Sequence, residues 1–419
     1  MSEDFNLRSP AYWRRLGWGL LSGLLSAVGA FIFIGLMNLG IGLVWPNPPS
    51  WEPFSGSWTI VAIMTAAGIL VGLIHHFTPA AQLDVFEAVD KGYLDPRPVP
   101  SSLLASLVSL IGGFSLGPEV PTGMLAAGLG SWLSKWRKLN DETTRSNVIG
   151  SVSAAYAGLF SSPFALLLMI LESTHLQTAA YYGVLLIAGL AAAVGFSLFF
   201  WLGGDTFSPL LGLVQPPAYD LRVGDIGLGI LFGILALPLA VIFLLIVKVM
   251  RRLVMPLNSQ PIIRSTVGGL LLGLLGVALP ITLFLGTDGL VTTTQDAAEI
   301  GFGLLILFAL AKILALGGAL SFGFIGGPIF PMLFVGATLG SAVNLLIPEI
   351  PLGLSVSCLM VAIPASVVPI PLALAVIGTV IVGLSPTNTI PVIMAALTAY
   401  AVARGLGLFA GGQQKKDQE

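Results

Sequence analysis

The chain has 419 residues, of which 56% are hydrophobic and only 9% charged, and its mean hydropathy is +0.96. A soluble domain carries roughly a quarter of its residues as charge, so water-soluble chemistry is excluded and lipid is the expected solvent. The 18 basic and 20 acidic residues leave a net charge of -2 with no massed basic stretch, which excludes a nucleic-acid partner; the single cysteine, Cys358, supports neither a disulfide framework nor a cysteine metal site.

A helix crosses about 30 Å of hydrocarbon with roughly 20 apolar residues. About a dozen such segments are predicted, at 16–44, 57–77, 101–116, 119–134, 146–171, 180–202, 224–247, 265–286, 300–319, 328–347, 352–382 and 388–411. These runs are long and unbroken, unlike the alternating ten-residue segments of a barrel, so the fold class is an all-α polytopic membrane protein. Arg14 and Arg15 precede a first apolar run too long for a cleaved leader, which reads as a retained helix. Some segments are too short to cross, and Pro118, Pro121, Pro328, Pro331, Pro364, Pro369 and Pro371 interrupt others, so broken and re-entrant helices are expected. Irregular backbone at membrane depth is tolerated only inside protein or beside a polar cavity, and the breaks therefore point toward a pathway.

Basic loops set the expected orientation. Arg8, Arg14, Arg15, the cluster Lys135, Arg137, Lys138 and Arg145, the cluster Lys248, Arg251, Arg252 and Arg264, and Lys415 and Lys416 are placed on the cytoplasmic side, with both termini. Asp205, Asp220 and Asp225, and Asp288, Asp296 and Glu299, face outward. The acidic loop 84–97 falls on the inner side against its charge.

The sequence repeats itself at half its length. GPEVPTGMLAAGLGS at 117–131 returns as GPIFPMLFVGATLGS at 327–341, an offset of 210 without a gap, with Gly117/Gly327, Pro118/Pro328 and Pro121/Pro331 among the identities. This divides the chain into a first repeat (1–202), a linker (203–223), a second repeat (224–412) and a polar tail (413–419). Because the halves begin on opposite sides, the repeats are inverted. In each GPxxP element glycine turns the chain, proline opens a helix, and the first N–H groups have no internal partner. Amides at Gly117, Val120, Ile329 and Phe330 could then surround a dehydrated anion without a fixed cation; a plain packing kink is the simpler alternative.

Glu119 stands where the second copy has Ile329. A carboxylate at bilayer depth is expensive, and at a helix N-terminus it can occupy the anion site itself until a proton or a competing anion displaces it, which makes it a gate; capping its own helix is the alternative. Glu172 closes a charge-free run and is either a proton relay or an interface glutamate, and His75 and His76 read as a solvated interface pair. No metal-ligand cluster and no catalytic constellation appears, which argues against a membrane enzyme; a carrier for an organic solute would need further polar groups.

These residues resemble the CLC family of chloride channels and chloride/proton antiporters. GPEVP at 117–121 looks like the family's G-[KR]-E-G-P segment, GGPIFPM at 326–332 like G-G-x-F-x-P-M, and SSPFALLLMILE at 161–172 like the Asn-Ala-Pro-Leu-Ala-Gly stretch that leads to acidic residues. The resemblance implies chloride as permeant ion without a cofactor, a homodimer with one pore per subunit, possible exchange for protons, and a plasma membrane, bacterial inner membrane by type. Counting by the family spacing puts Thr78 at the anion-ligating serine; the family's inner-gate tyrosine has no equivalent, and the region before Pro391 offers Pro386, Thr387 or Asn388 in its place. Pro328 removes one amide donor, and Ser173 stands at the second acidic position of the proton-coupled members. The fluoride-specific pattern is not matched.

Overall fold

The computed structural model describes residues 9–174, 180–204, 210 and 212–408. The first half builds α1 (Pro10–Val44), α2 (Thr59–Phe77), α3 (Val85–Lys91), α4 (Val99–Ile111), α5 (Glu119–Trp136), α6 (Asp141–Leu159), α7 (Pro163–Ser173) and α8 (Ala180–Gly203). The second half builds α9 (Val223–Leu235), α10 (Leu237–Val254), α11 (Pro261–Ala278), α12 (Thr287–Gln295), α13 (Ala297–Ile300), α14 (Phe302–Phe322), α15 (Ile329–Leu346), α16 (Leu352–Ala365), α17 (Pro371–Val382) and α18 (Thr389–Gly405). Arg8, Asp205, Lys415 and Lys416, on which part of the orientation reading falls, lie outside the described residues.

The halves repeat each other in order. α9 with α10 answers α1, α11 answers α2, α12 answers α3, and α14 through α18 answer α4 through α8. The fold is therefore all-α with two inverted repeats and several helices that stop inside the protein.

Local chemistry explains the breaks. The expected span 146–171 is two helices: Ser161 takes φ +54°, and Ser162 accepts the Ala165 N–H at 3.2 Å to cap α7, whose first residue is Pro163. The expected span 352–382 likewise divides at residues 366–370 before Pro371. Pro364, expected to interrupt, sits in the last turn of α16 without ending it. Segment 224–247 runs on to Val254 through a junction at Ala236, and 265–286 stops at Ala278. Short α3 and α12 arise where loops were expected. Asp84 caps α3 by accepting the Glu87 N–H at 3.0 Å, and Asp225, expected in an outward acidic loop, is buried in the first turn of α9.

Helices meet through small residues, as in lipid, where close backbone approach drives association. A Cβ at Gly195 would stand 2.0 Å from the Ala154 carbonyl of α6, and one at Gly340 would stand 2.4 Å from the Val356 Cα of α16. Cys358 is buried in α16. Seven of the described helices, or helix runs, are long and apolar enough to cross a membrane.

Cross-links define two faces. Arg15 pairs with Glu142, Arg145 Nη2 donates to the Asp90 carbonyl at 2.7 Å, and His75 Nε2 lies 2.8 Å from the Gly323 carbonyl beside Arg264. These contacts gather the N-terminal ends of α1, α6 and α11 and the C-terminal ends of α2, α3 and α14 on one basic face. The acidic loop 84–97 is held there by Arg145. At the linker face, Gly212 N–H donates to Val380 O at 2.8 Å and Asn388 Nδ2 to Tyr219 O at 3.0 Å.

Candidate anion site at the repeat axis

The site begins where α4 and α14 end. Gly113 at φ +87° and Gly323 at φ +92° turn the chain in the left-handed region that favours glycine, 210 residues apart. Phe114 and Phe324 follow, again 210 apart, with rings stacked 3.6 Å between centroids. Three residues on, Gly117 N–H donates to Gly327 O and Gly327 N–H to Gly117 O, both at 2.8 Å. Only a two-fold relation between antiparallel segments gives such reciprocity, so the pseudo-symmetry axis passes between these glycines.

Past the axis Pro118 and Pro328 lead into α5 and α15. Glu119 does not fold back as a simple cap of α5. Its Oε1 accepts the Ile329 N–H of the other repeat at 2.6 Å, and its carboxylate also faces the N–H groups of Phe330 and of Glu119 itself. The residue is 1% exposed and Oε2 has no partner. A carboxylate thus occupies the position that convergent helix N-termini offer to an anion. It lies between the two axial glycines: a Cβ at Gly117 would be 1.9 Å from Oε2, and one at Gly327 2.1 Å from Cδ.

Two cavities adjoin this junction. One of about 240 Å³ is lined by Asp84, Glu119, Val120, Tyr156 and Ile329 and reaches the exposed Gln82. The other, about 370 Å³, is lined by Asn38, Pro118, Ser161, Leu285, Thr287 and Phe330. Among the described residues, no Lys, Arg or His lines either one.

The sequence-derived residues divide accordingly. Glu119, Ile329 and Phe330 come together, and Val120 lines the smaller cavity beside them. The Gly117 amide, expected to face an anion, is engaged with Gly327 instead. Thr78 does not line the cavity; its hydroxyl donates to Ile74 O at 2.6 Å, because it closes the last turn of α2. Thr387 and Asn388 line a separate cavity with the linker, near Tyr219 and Pro216, because they precede α18, the counterpart of α8, rather than an axial helix. Glu172 accepts the N–H groups of Leu372 at 2.7 Å and Ala373 at 3.0 Å, capping α17 across the repeat boundary. His75 bridges the Ala80 and Gly323 carbonyls rather than standing in solvent, while His76 is exposed.

Three participants escaped the sequence reading. Gln82 exchanges hydrogen bonds with Gly326, donating from Nε2 at 2.9 Å and accepting at Oε1 at 3.2 Å. Tyr156 donates its hydroxyl to Glu119 O at 2.7 Å. Asp84 shares the cavity with Glu119. No motif marks these positions, although the Gly-Phe pairs at 113–114 and 323–324 could have extended the repeat toward the axis.

The chain belongs to the voltage gated chloride channel family, whose sequence pattern matches residues 60–404. It is similar to the protein named "Putative ion-transport protein YfeO" of Salmonella paratyphi A, 29% identical over 348 residues that cover 81% of this chain and 82% of the relative. The Salmonella choleraesuis protein of that name is 30% identical over 328 residues, covering 77% and 75%. Among solved structures, a slow cyanobacterial Cl⁻/H⁺ antiporter aligns with a TM-score of 0.78 at 21% identity, over 94% of this chain and 95% of its own. A CLC-type fluoride/proton antiporter aligns with a TM-score of 0.75 at 20% identity, over 95% and 97%. At such identity the structural likeness carries the fold.

Proposed function

We propose that the chain carries chloride or a similar small anion across a membrane by a pathway through each subunit, with the Glu119 carboxylate as the gate at the Ile329 and Phe330 amides. The observation that carries this reading is the 2.6 Å bond from Ile329 N–H to Glu119 Oε1 at the junction of the repeats, where one cavity is lined by Glu119 and Ile329 and another by Pro118 and Phe330. Amide dipoles attract an anion without the fixed charge that would retain it, and a carboxylate competes with the permeant ion for the same donors. Family membership supports the substrate class.

The basic face is assigned to the cytoplasm on the strength of Arg15, Arg145 and Arg264, with residues 1–202 and 224–412 as the repeats and 203–223 as their linker. A plasma membrane is the corresponding location. Both cavities and the gate come from one chain, so a homodimer would hold two complete pathways. Exchange of the anion against protons is the second reading, favoured by the two similar structures, both proton antiporters.

The test is chloride efflux from proteoliposomes under an ionophore-clamped voltage, with reversal potentials under paired chloride and proton gradients. A Nernstian chloride potential identifies a passive conductor and a displaced one an exchanger. Folded protein without chloride flux would overturn the reading.

A further inference from the structure

We propose that Asp84 is the acid that loads protons onto Glu119, through the cavity the two carboxyl groups share on the α3 side of the repeat axis. The inference rests on the gate reading above and adds the source of the proton.

Asp84 is exposed at the mouth of the 240 Å³ cavity, and Glu119 is buried in its wall. At Asp84 only Oδ1 is engaged, with the Glu87 N–H; at Glu119 Oε2 has no partner although the residue is 1% exposed. An unpartnered buried carboxylate oxygen calls for a proton or an ordered water. The cavity has room for several waters, and its mostly apolar wall carries polar groups from Gln82, Asp84, Glu119 and Tyr156, whose hydroxyl donates to Glu119 O. An acidic group at the mouth of an anion route repels the permeant ion, so its presence there needs a purpose other than attraction.

The groups around Asp84 are few. On α3 itself stand Glu87 and Asp90, with Lys91 held 2.5 Å from Glu87. From α5 comes Glu119. From α6 come Tyr156 and, toward the Asp90 carbonyl, Arg145. From α7 the only ionisable side chain is Glu172, which has both oxygens on the α17 amides and is followed by Ser173 rather than a second acid. The sequence before α3 adds His75, which bridges two carbonyls.

Protonated Asp84 releases its proton to cavity water, the Glu119 carboxylate takes up one proton from that water, and the Asp84 carboxylate is protonated again from the aqueous side. Neutral Glu119 holds the Ile329 and Phe330 amides less strongly and yields them to the anion.

The experiment uses the full chain in proteoliposomes and reads the ratio of chloride flux at acid and neutral pH, together with proton uptake driven by a chloride gradient. Asp84→Asn keeps an N-cap acceptor, so α3 is retained. The wild type should give a ratio far from one, Asp84→Asn should move it about tenfold toward one and slow any proton uptake in step, and Asp84→Glu should restore both. A wild-type ratio in Asp84→Asn, or no pH dependence in the wild type, overturns the inference and leaves the anion pathway standing. Loss of chloride flux in the folded wild type overturns the pathway itself.

Discussion

Glu119 and Ile329 occupy equivalent positions 210 residues apart, and the side chain of the first lies on the main-chain N–H of the second at 2.6 Å. An exact repeat would have put two carboxylates at the axis, where like charges repel. Divergence at one position leaves a single carboxylate with the amide donors of both helices. The asymmetry in a symmetric frame is what turns a structural junction into a switchable site.

That geometry predicts the pH response. The ionised Glu119 occupies the amides; protonation removes its charge and weakens its hold. Chloride flux should therefore rise as pH falls. Glu119→Gln, which fixes the neutral state, should give at neutral pH the flux the wild type reaches in acid, with the dependence gone. Liposome efflux over a pH series measures this, and a Gln variant that still titrates like the wild type would remove the gate.

Gly117 and Gly327 should be intolerant of even one methyl group. A Cβ at either would fall about 2 Å from the Glu119 carboxyl atoms, and neither φ is positive, so crowding rather than backbone strain is the cause. Gly117→Ala and Gly327→Ala should expel the carboxylate and raise flux at neutral pH, with little further increase in acid. Flux assays beside a thermal melt separate this from misfolding; a folded alanine variant with wild-type pH dependence would contradict it.

Much of this was legible in the sequence, for identifiable reasons. Glycine and proline report backbone demands directly, so Gly117, Pro118 and their partners at 327 and 328 exposed the duplication and the lone Glu119. Apolar runs were less informative: nothing in their hydropathy distinguishes one long helix from α6 and α7 in series, and only Ser161, Ser162 and Pro163 marked the break. Thr78 was reached by spacing alone, whereas the chain brings Gln82 and Asp84 to the cavity through Gln82's bonds to Gly326. Thr387 and Asn388 follow only from the family resemblance in the region before Pro391, whereas element order pairs α18 with α8, away from the axis. Such placement depends on contacts between segments some 200 residues apart, which no local pattern records.

Glu172 should behave first as a cap. Both of its oxygens hold α17 amides, and a buried donor left unsatisfied costs about 1–3 kcal/mol. Glu172→Ala should lower thermal stability in detergent by roughly that amount, and Glu172→Gln, which keeps one acceptor, by about half as much. Equal melting of the wild type and Glu172→Ala would show the cap to be dispensable and return the residue to the relay reading.

Lys312 makes the sharpest stability prediction. It is fully buried in α14, and its ammonium donates to the carbonyls of Thr282 at 3.2 Å, Leu283 at 2.8 Å and Phe284 at 2.9 Å, with Ile281 O at 3.5 Å and the Phe334 ring 5.2 Å away. Among the described residues no carboxylate pairs with it; convergent carbonyl dipoles stabilise it instead. The same segment ties to the axis, because Phe284 N–H donates to Gly113 O at 3.0 Å, and the next residues, Leu285 and Thr287, wall the larger cavity. Lys312→Met removes the desolvated charge but leaves several buried carbonyls without a donor, at about 1–3 kcal/mol for each one not rescued by water. Lys312→Arg retains charge but needs more room, and the Gly286 backbone closes against the lysine stem. Both variants should melt well below the wild type, and Lys312→Met protein that does fold should also lose pH-controlled flux as the cavity wall loosens. A Lys312→Met melting temperature equal to the wild type would mean that the carbonyls find other donors, and the lysine would no longer explain how this wall is held.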